Sequence, residues 1–195
     1  MIEPKPLPWK TNQFPGFLSA KALDNHYDAN YRGYINKLNS FMVTYPELQS
    51  LTVREISDNY PMIRPTANQI LNHEFFWNIL SPEKTLPTSA FYDRIQKSFH
   101  SYDRFQLEFI EKASSHFGSG WIWLVYDPIN GIFQLIDGHD DYNPINDGYI
   151  PIITLDVWEH SFYLDYVTDK QAYARNFFHY INWKYVDSII LSIFA

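Results

Sequence analysis

Asp156 and His160 stand four residues apart in the pentapeptide DVWEH, directly after the apolar run Ile150 to Leu155. In one helical turn, or in a strand that leads into a turn, this interval can bring a carboxylate and an imidazole to one point. Upstream, His26, Asn30 and Tyr34 recur every four residues, and Gln69 and His73 do the same. Each series would form one stripe on a helix, and two antiparallel helices could turn their stripes toward each other. Three imidazoles and one carboxylate would then be available together. Taken singly, a histidine on an aromatic helix face is better explained as a hydrogen-bonded core residue. Spacing alone leaves both readings open.

Composition narrows the chemistry. The chain has 195 residues, 46% of them hydrophobic, which suits one large domain or two small ones with a real core. A formal charge of −7 argues against a broad nucleic-acid surface, which needs clustered Lys and Arg. A small anionic substrate would need a local positive field. Cysteine is absent, so disulfides and thiolate metal sites are excluded, and any metal must use His, Asp or Glu. The N-terminal MIEPKPLPWK lacks the apolar core of a secretory signal, and IILSIFA near the other end is far too short to span a bilayer. A cytoplasmic protein with neither a membrane nor a nucleic-acid partner is the expectation.

The elements that must position these residues fall into two halves. A helix opens near Ser19, which offers an N-cap, and continues through Leu23, Tyr27, Tyr34, Leu38 and Phe41 until Pro46 ends its reach. A weaker helix covers roughly Thr52 to Asn59. Pro65 starts a strong one through ANQILNHEFFWNIL, closed by Ser81 and Pro82. The segment EKTLPTSA reads as a linker. Beyond it, helical patterns cover about Ala90 to Ser98 and Tyr102 to His116, followed by the glycine break GSG. WIWLVYD and IFQLID flank the turn Pro128 to Gly131 as a β-hairpin, and YIPIITL completes a small antiparallel sheet. The tail QAYARNFFHYINWKYVDSIILSI is expected to be helical.

The stretches NQILNHEFFWN, FGSGWIWLV and LDVWEHSFYLDY resemble the three signature regions of the iron/manganese superoxide dismutase family, and HYDANYRGYINKLN resembles its first-helix region. The similarity covers essentially the whole chain, from LPW near the start to INWKYV near the end. It implies an α+β protein, with an N-terminal α-helical hairpin domain over residues 1–84 and a C-terminal α/β domain with a three-stranded antiparallel sheet over 85–195. His26, His73, Asp156 and His160 are its implied metal ligands, holding one iron ion per chain, with manganese as the alternative. The implied reaction oxidises one superoxide to oxygen and reduces another to hydrogen peroxide as the metal alternates between +3 and +2. A homodimer, which could pair into a tetramer, is the implied assembly.

Further roles follow from the same resemblance. Gln69 occupies the position from which iron-type members direct an amide toward metal-bound solvent, and Tyr34 resembles the gateway tyrosine on the substrate path. Trp121, Trp123 and Trp158 would wall the site. Glu159 and Tyr163 resemble residues that cross a two-fold interface to the partner's His160 and to its first helix, and Lys170 is a counterpart of a substrate-steering cation. The chain also departs from the pattern. Asn30 stands where a histidine is usual, Phe76 replaces a tyrosine, Ala29 lacks a basic side chain, and DGHDDYNP brings His139 near the place where some members set a Gln or His beside the metal solvent. His139 is therefore a further catalytic candidate. Asn30 and Phe76 leave open a weakly active or non-catalytic member that serves metal binding or assembly.

Overall fold

The computed structural model describes residues 1–194. The Ser19 hydroxyl accepts from the Ala22 N–H and so caps α1 (Ala20–Asn25). The chain then widens into a π-helical turn over His26–Tyr31 before α2 (Arg32–Thr44) resumes. The Arg32 N–H bonds to the Tyr27 carbonyl, five residues back. That interval aligns His26 with Tyr31 rather than with Asn30, and both are buried against the neighbouring helix while Asn30 is only partly covered. The expected single α-helix is thus corrected at the residues that matter most.

Thr52 and Glu55 form a reciprocal capping box at the start of α3 (Val53–Asn59). Pro65, in the first turn of α4 (Arg64–Ile79), lacks only an N–H that would be unpaired there anyway. Buried residues run almost all round α4, including Asn68, Gln69, Asn72 and His73. The helix is covered on one side by α2 and on another by the sheet.

The second half begins with α5 (Ser89–Phe99), which takes up the last two residues of the expected linker, and α6 (Tyr102–Ser115). Strands β1 (Gly120–Asp127), β2 (Ile132–His139) and β3 (Ile150–Asp156) form one antiparallel sheet in the order β2-β1-β3. Trp121 pairs with Asp156 across β1 and β3, so the two share a face. A register shift between Leu124 and Val125 accommodates Pro151, and as an edge strand β3 tolerates a proline.

The tail is not one helix. After α7 (Glu159–Tyr166) come α8 (Lys170–Phe177), a short 3-10 turn and α9 (Trp183–Phe194). Its interruption has a tertiary cause: Ile181 bridges Leu80, and the Asn182 N–H bonds to the Ile79 carbonyl at 2.7 Å. These long-range partners replace the helical ones.

Candidate metal centre

His26 comes from the π turn, His73 from the middle of α4, Asp156 from the last residue of β3 and His160 from the first turn of α7. One ligand atom from each lies within 4.8 Å of all the others. Asp156 Oδ2 is their common neighbour, 3.1 Å from His26 Nε2, 3.2 Å from His160 Nε2 and 3.9 Å from His73 Nε2. Three of the four are buried, and His160 keeps 18% side-chain exposure. The Trp158 N–H donates to Asp156 Oδ1 at 2.8 Å, turning the chain from β3 into α7. The interval between Asp156 and His160 is therefore a strand, a turn and a helix start.

His73 Nδ1 donates to the Gln69 carbonyl at 2.6 Å, which leaves the Nε2 lone pair directed at the cluster. His73 Nε2 and both ring nitrogens of His26 are buried without a hydrogen-bond partner among the described residues. Each such orphan costs about 1–3 kcal/mol, and a cation shared by His26 Nε2 and His73 Nε2, the two atoms beside Asp156 Oδ2, removes that cost there. Burial pushes His26 down to about 4 and His73 down to about 3, the other imidazoles adding to the effect at His73. Both are thus neutral at physiological pH, the form that ligates. Burial works against ionisation of Asp156, but the His160 and His26 imidazoles outweigh it and hold the carboxyl well below its usual range. Three imidazoles and one carboxylate fit a first-row ion such as iron or manganese.

Aromatic rings enclose this donor set. Trp77 meets His26 edge-on at 4.7 Å, Trp121 meets His73 edge-on at 5.1 Å, and Trp158 stacks on His160 at 5.6 Å. Trp123 packs beside Trp121 at 6.1 Å, with its ring 5.9 Å from Phe75. Tyr34 lies 5.7 Å from His73, and Phe76 lies 5.9 Å from His26. Burial raises the Tyr34 phenol above its usual range, with Asp156, Asp141 and Asp140 adding to the effect, so it is protonated at neutral pH. Gln69 is buried, its Nε2 donating to the Asp140 carbonyl at 3.2 Å.

Other expected residues lie farther out. Asn30, Glu159, His160 and Tyr163 line one surface concavity of about 300 Å³ together with Asn25 and Leu164. Lys170 donates to the carbonyls of His116 and Gly118 at 2.9 and 3.4 Å, so its charge is held by the loop before β1. His139 does not reach the cluster. It is exposed at the end of β2, its ring 4.7 Å from that of His116. Strand alternation explains the correction: Gly138 pairs with Trp121 and shares its face, so His139 points to the other.

Two residues near the site escaped the sequence reading. Tyr31 stacks on His73 at 6.1 Å and donates its hydroxyl to Glu74 at 3.0 Å. Its position becomes apparent only with the π turn. Trp77, one turn beyond His73 in NHEFFWN, could have been found by the four-residue spacing used for Gln69.

An α-hairpin joined to an α/β domain, with one mononuclear centre whose ligands come from both, defines the class of protein. Residues 3–81 match the family model of iron/manganese superoxide dismutases, alpha-hairpin domain, and residues 87–189 match that of iron/manganese superoxide dismutases, C-terminal domain. The chain belongs to the iron/manganese superoxide dismutase family. It is 34% identical over 183 residues to an iron superoxide dismutase of Entamoeba histolytica, covering 93% of this chain and 95% of that protein. A Coxiella burnetii iron superoxide dismutase is 35% identical over 181 residues, 92% of this chain and 93% of its own. One from Helicobacter pylori is 30% identical over 186 residues, 95% of this chain and 87% of its own.

Proposed function

We propose that this protein is an iron-dependent superoxide dismutase, converting two superoxide anions and two protons into dioxygen and hydrogen peroxide. The observation that carries the reading is the convergence of His26, His73, Asp156 and His160 within 4.8 Å. Iron held by these four residues would supply a one-electron cycle between its +3 and +2 states. The chain's own residues prepare that chemistry. Gln69 fixes the His73 ring through its backbone carbonyl, and its side-chain Nε2 donates to the Asp140 carbonyl. Tyr34 keeps a proton on its phenol beside His73, available for transfer as peroxide forms. Trp77, Trp121 and Trp158 exclude bulk water and limit the site to small species.

Gln69 supports iron over manganese, since an amide donor near the ligands favours one charge state of the centre. Such a bond is worth about 1.5–3 kcal/mol when one partner is charged. The test is to load metal-free protein separately with iron and manganese and measure dismutation per bound metal. Higher activity with iron is expected. The reverse would overturn the iron assignment, and full loading without activity in either form would favour the non-catalytic alternative.

A homodimer belongs to the same proposal. The concavity beside His160 carries Glu159, Asn30 and Tyr163, and both Tyr163 and Leu164 are 51% exposed. An exposed apolar pair, Tyr163 and Leu164, beside a partly open ligand suits a second copy. Sedimentation at micromolar concentration should give a dimer, and Tyr163→Arg should give a monomer. The domain boundary at residues 84 and 85 is supported by family matches that stop at 81 and restart at 87. A cytoplasmic location completes the proposal, with cell fractionation as its test. No described helix is long and apolar enough to cross a membrane.

A further inference from the structure

Asp140 adopts a left-handed backbone conformation with φ 52°, uncommon for a residue with a side chain. Its side chain is exposed, so packing of the carboxylate does not impose this conformation. The backbone is held on both sides. The Asp140 N–H donates to the Ser119 carbonyl at 3.0 Å. The Asp140 carbonyl accepts from two side chains at once, Gln69 Nε2 at 3.2 Å and Trp158 Nε1 at 3.1 Å. Gln69 lies one turn before His73 on α4, and Trp158 lies between Asp156 and His160. One backbone oxygen therefore joins the two sides of the metal centre.

The surrounding loop is tied to the same helix. Asn72 Nδ2 donates to the Tyr142 carbonyl at 3.1 Å, and Asn143 Nδ2 donates to Asn72 Oδ1 at 2.8 Å. Tyr142 folds so closely over Gly138 that a Cβ there would stand 2.1 Å from its ring. A carboxamide has two N–H groups and one carbonyl. The Asp140 oxygen takes one N–H of Gln69 and so selects which end of the amide faces the loop. Gln69 Oε1 is left buried with no partner among the described residues. A right-handed or extended Asp140 would swing its carbonyl away and free the amide to rotate.

We propose that Asp140 is a positioning residue, whose left-handed turn aims a backbone carbonyl that orients the Gln69 amide and thereby sets the redox poise of the metal centre. The role depends on Gln69 acting on that centre, as the proposed function has it. Replacement at 140 tests conformation without touching the core. Glycine takes the left-handed region freely, asparagine readily, alanine less so, and a β-branched residue least. The experiment compares Asp140→Gly, Asp140→Asn, Asp140→Ala and Asp140→Val with Gln69→Gly and wild type, all loaded with iron. The midpoint potential and the ferric visible spectrum are recorded, with metal content and thermal melting as checks of folding.

Loss of the carboxylate, which also acts on Tyr34, is common to all four variants, so Asp140→Gly and Asp140→Asn should match each other, and Asp140→Ala should fall between them and Asp140→Val. Relative to Asp140→Asn, Asp140→Val should move in the same direction as Gln69→Gly by tenfold or more in the redox equilibrium, about 60 mV for one electron. Should the valine variant not fold, the order of the other three decides. If Gln69→Gly shifts the potential while the folded Asp140 variants do not follow this order, Asp140 loses its role and Gln69 keeps its own. If Gln69→Gly leaves the potential unmoved, both roles fall.

Discussion

Hydrogen bonding within α4 commits His73 Nδ1 to the Gln69 carbonyl at 2.6 Å, while Nε2 stays unpaired among the described residues. Ring orientation and tautomer are thereby set before any ion arrives. His73→Ala should lower iron affinity by more than the roughly 10- to 100-fold expected for loss of a group that only orients a ligand. Metal analysis of the purified variant checks this, and near-stoichiometric iron would remove His73 from the ligand set. Tyr34 differs in kind, since its ring packs on His73 but its phenol holds a proton that burial keeps in place. Tyr34→Phe retains the ring and should retain the iron. Turnover should drop by up to about 10²-fold, the lower end of the range for positioned proton donors, and the alkaline limb of the wild-type rate profile should shift. Loss of iron from this variant would assign Tyr34 a structural role instead.

At the scale of elements, the π turn His26–Tyr31 does what an α-helix could not. It brings His26 and Tyr31 to the same side, where His26 meets Asp156 and Tyr31 stacks on His73. A π turn contains one more residue than the α turn it replaces, and Ala29 within it is exposed. Deleting Ala29 should restore α-helical hydrogen bonding with Tyr31 one α turn from His26, so that both still face α4. The expected result is helix content close to wild type by circular dichroism with the iron retained. Loss of most of the iron would mean that the width of the π turn, and not only the side it selects, places His26.

For the whole molecule, assembly of the site places two neutral histidines in the interior, and the metal-free protein should reveal this in its pH dependence. His26 and His73 are lowered from 6.5 to about 4 and about 3 in the folded state. Between those values the unfolded chain binds protons that the folded chain does not, so stability rises with pH. Their contribution is complete above about pH 6.5 and is lost as pH falls through about 4 and then 3. Asp156, also held low, acts in the same direction at more acidic pH. The loss should amount to a few kcal/mol, at about 1.4 kcal/mol per tenfold change in protonation. Urea denaturation of metal-free protein at about pH 7 and about pH 5 checks the sign. Equal midpoints would show that the histidines are not held neutral by the fold.

The amino-acid sequence by itself determined which side chains could ligate, because His26, His73, Asp156 and His160 are legible as residue types at fixed intervals inside recognisable stretches. It also determined most of the elements, since Ser19, Thr52 and Pro65 act within one turn of their own position. Only the tertiary structure decided the π turn, the break at Ile181 and Asn182, and the side of the sheet on which His139 falls. Each depends on partners far along the chain: α4 against the first helix, Ile79 and Leu80 against the tail, and Trp121 across from Gly138. The Asp140 carbonyl is the clearest case, because nothing in DGHDDYNP reveals a left-handed residue whose backbone oxygen meets Gln69, 71 positions away. Local propensity acts over a few residues, whereas the orientation of a ligand or its neighbour is set by contacts between segments that meet only when the chain has folded.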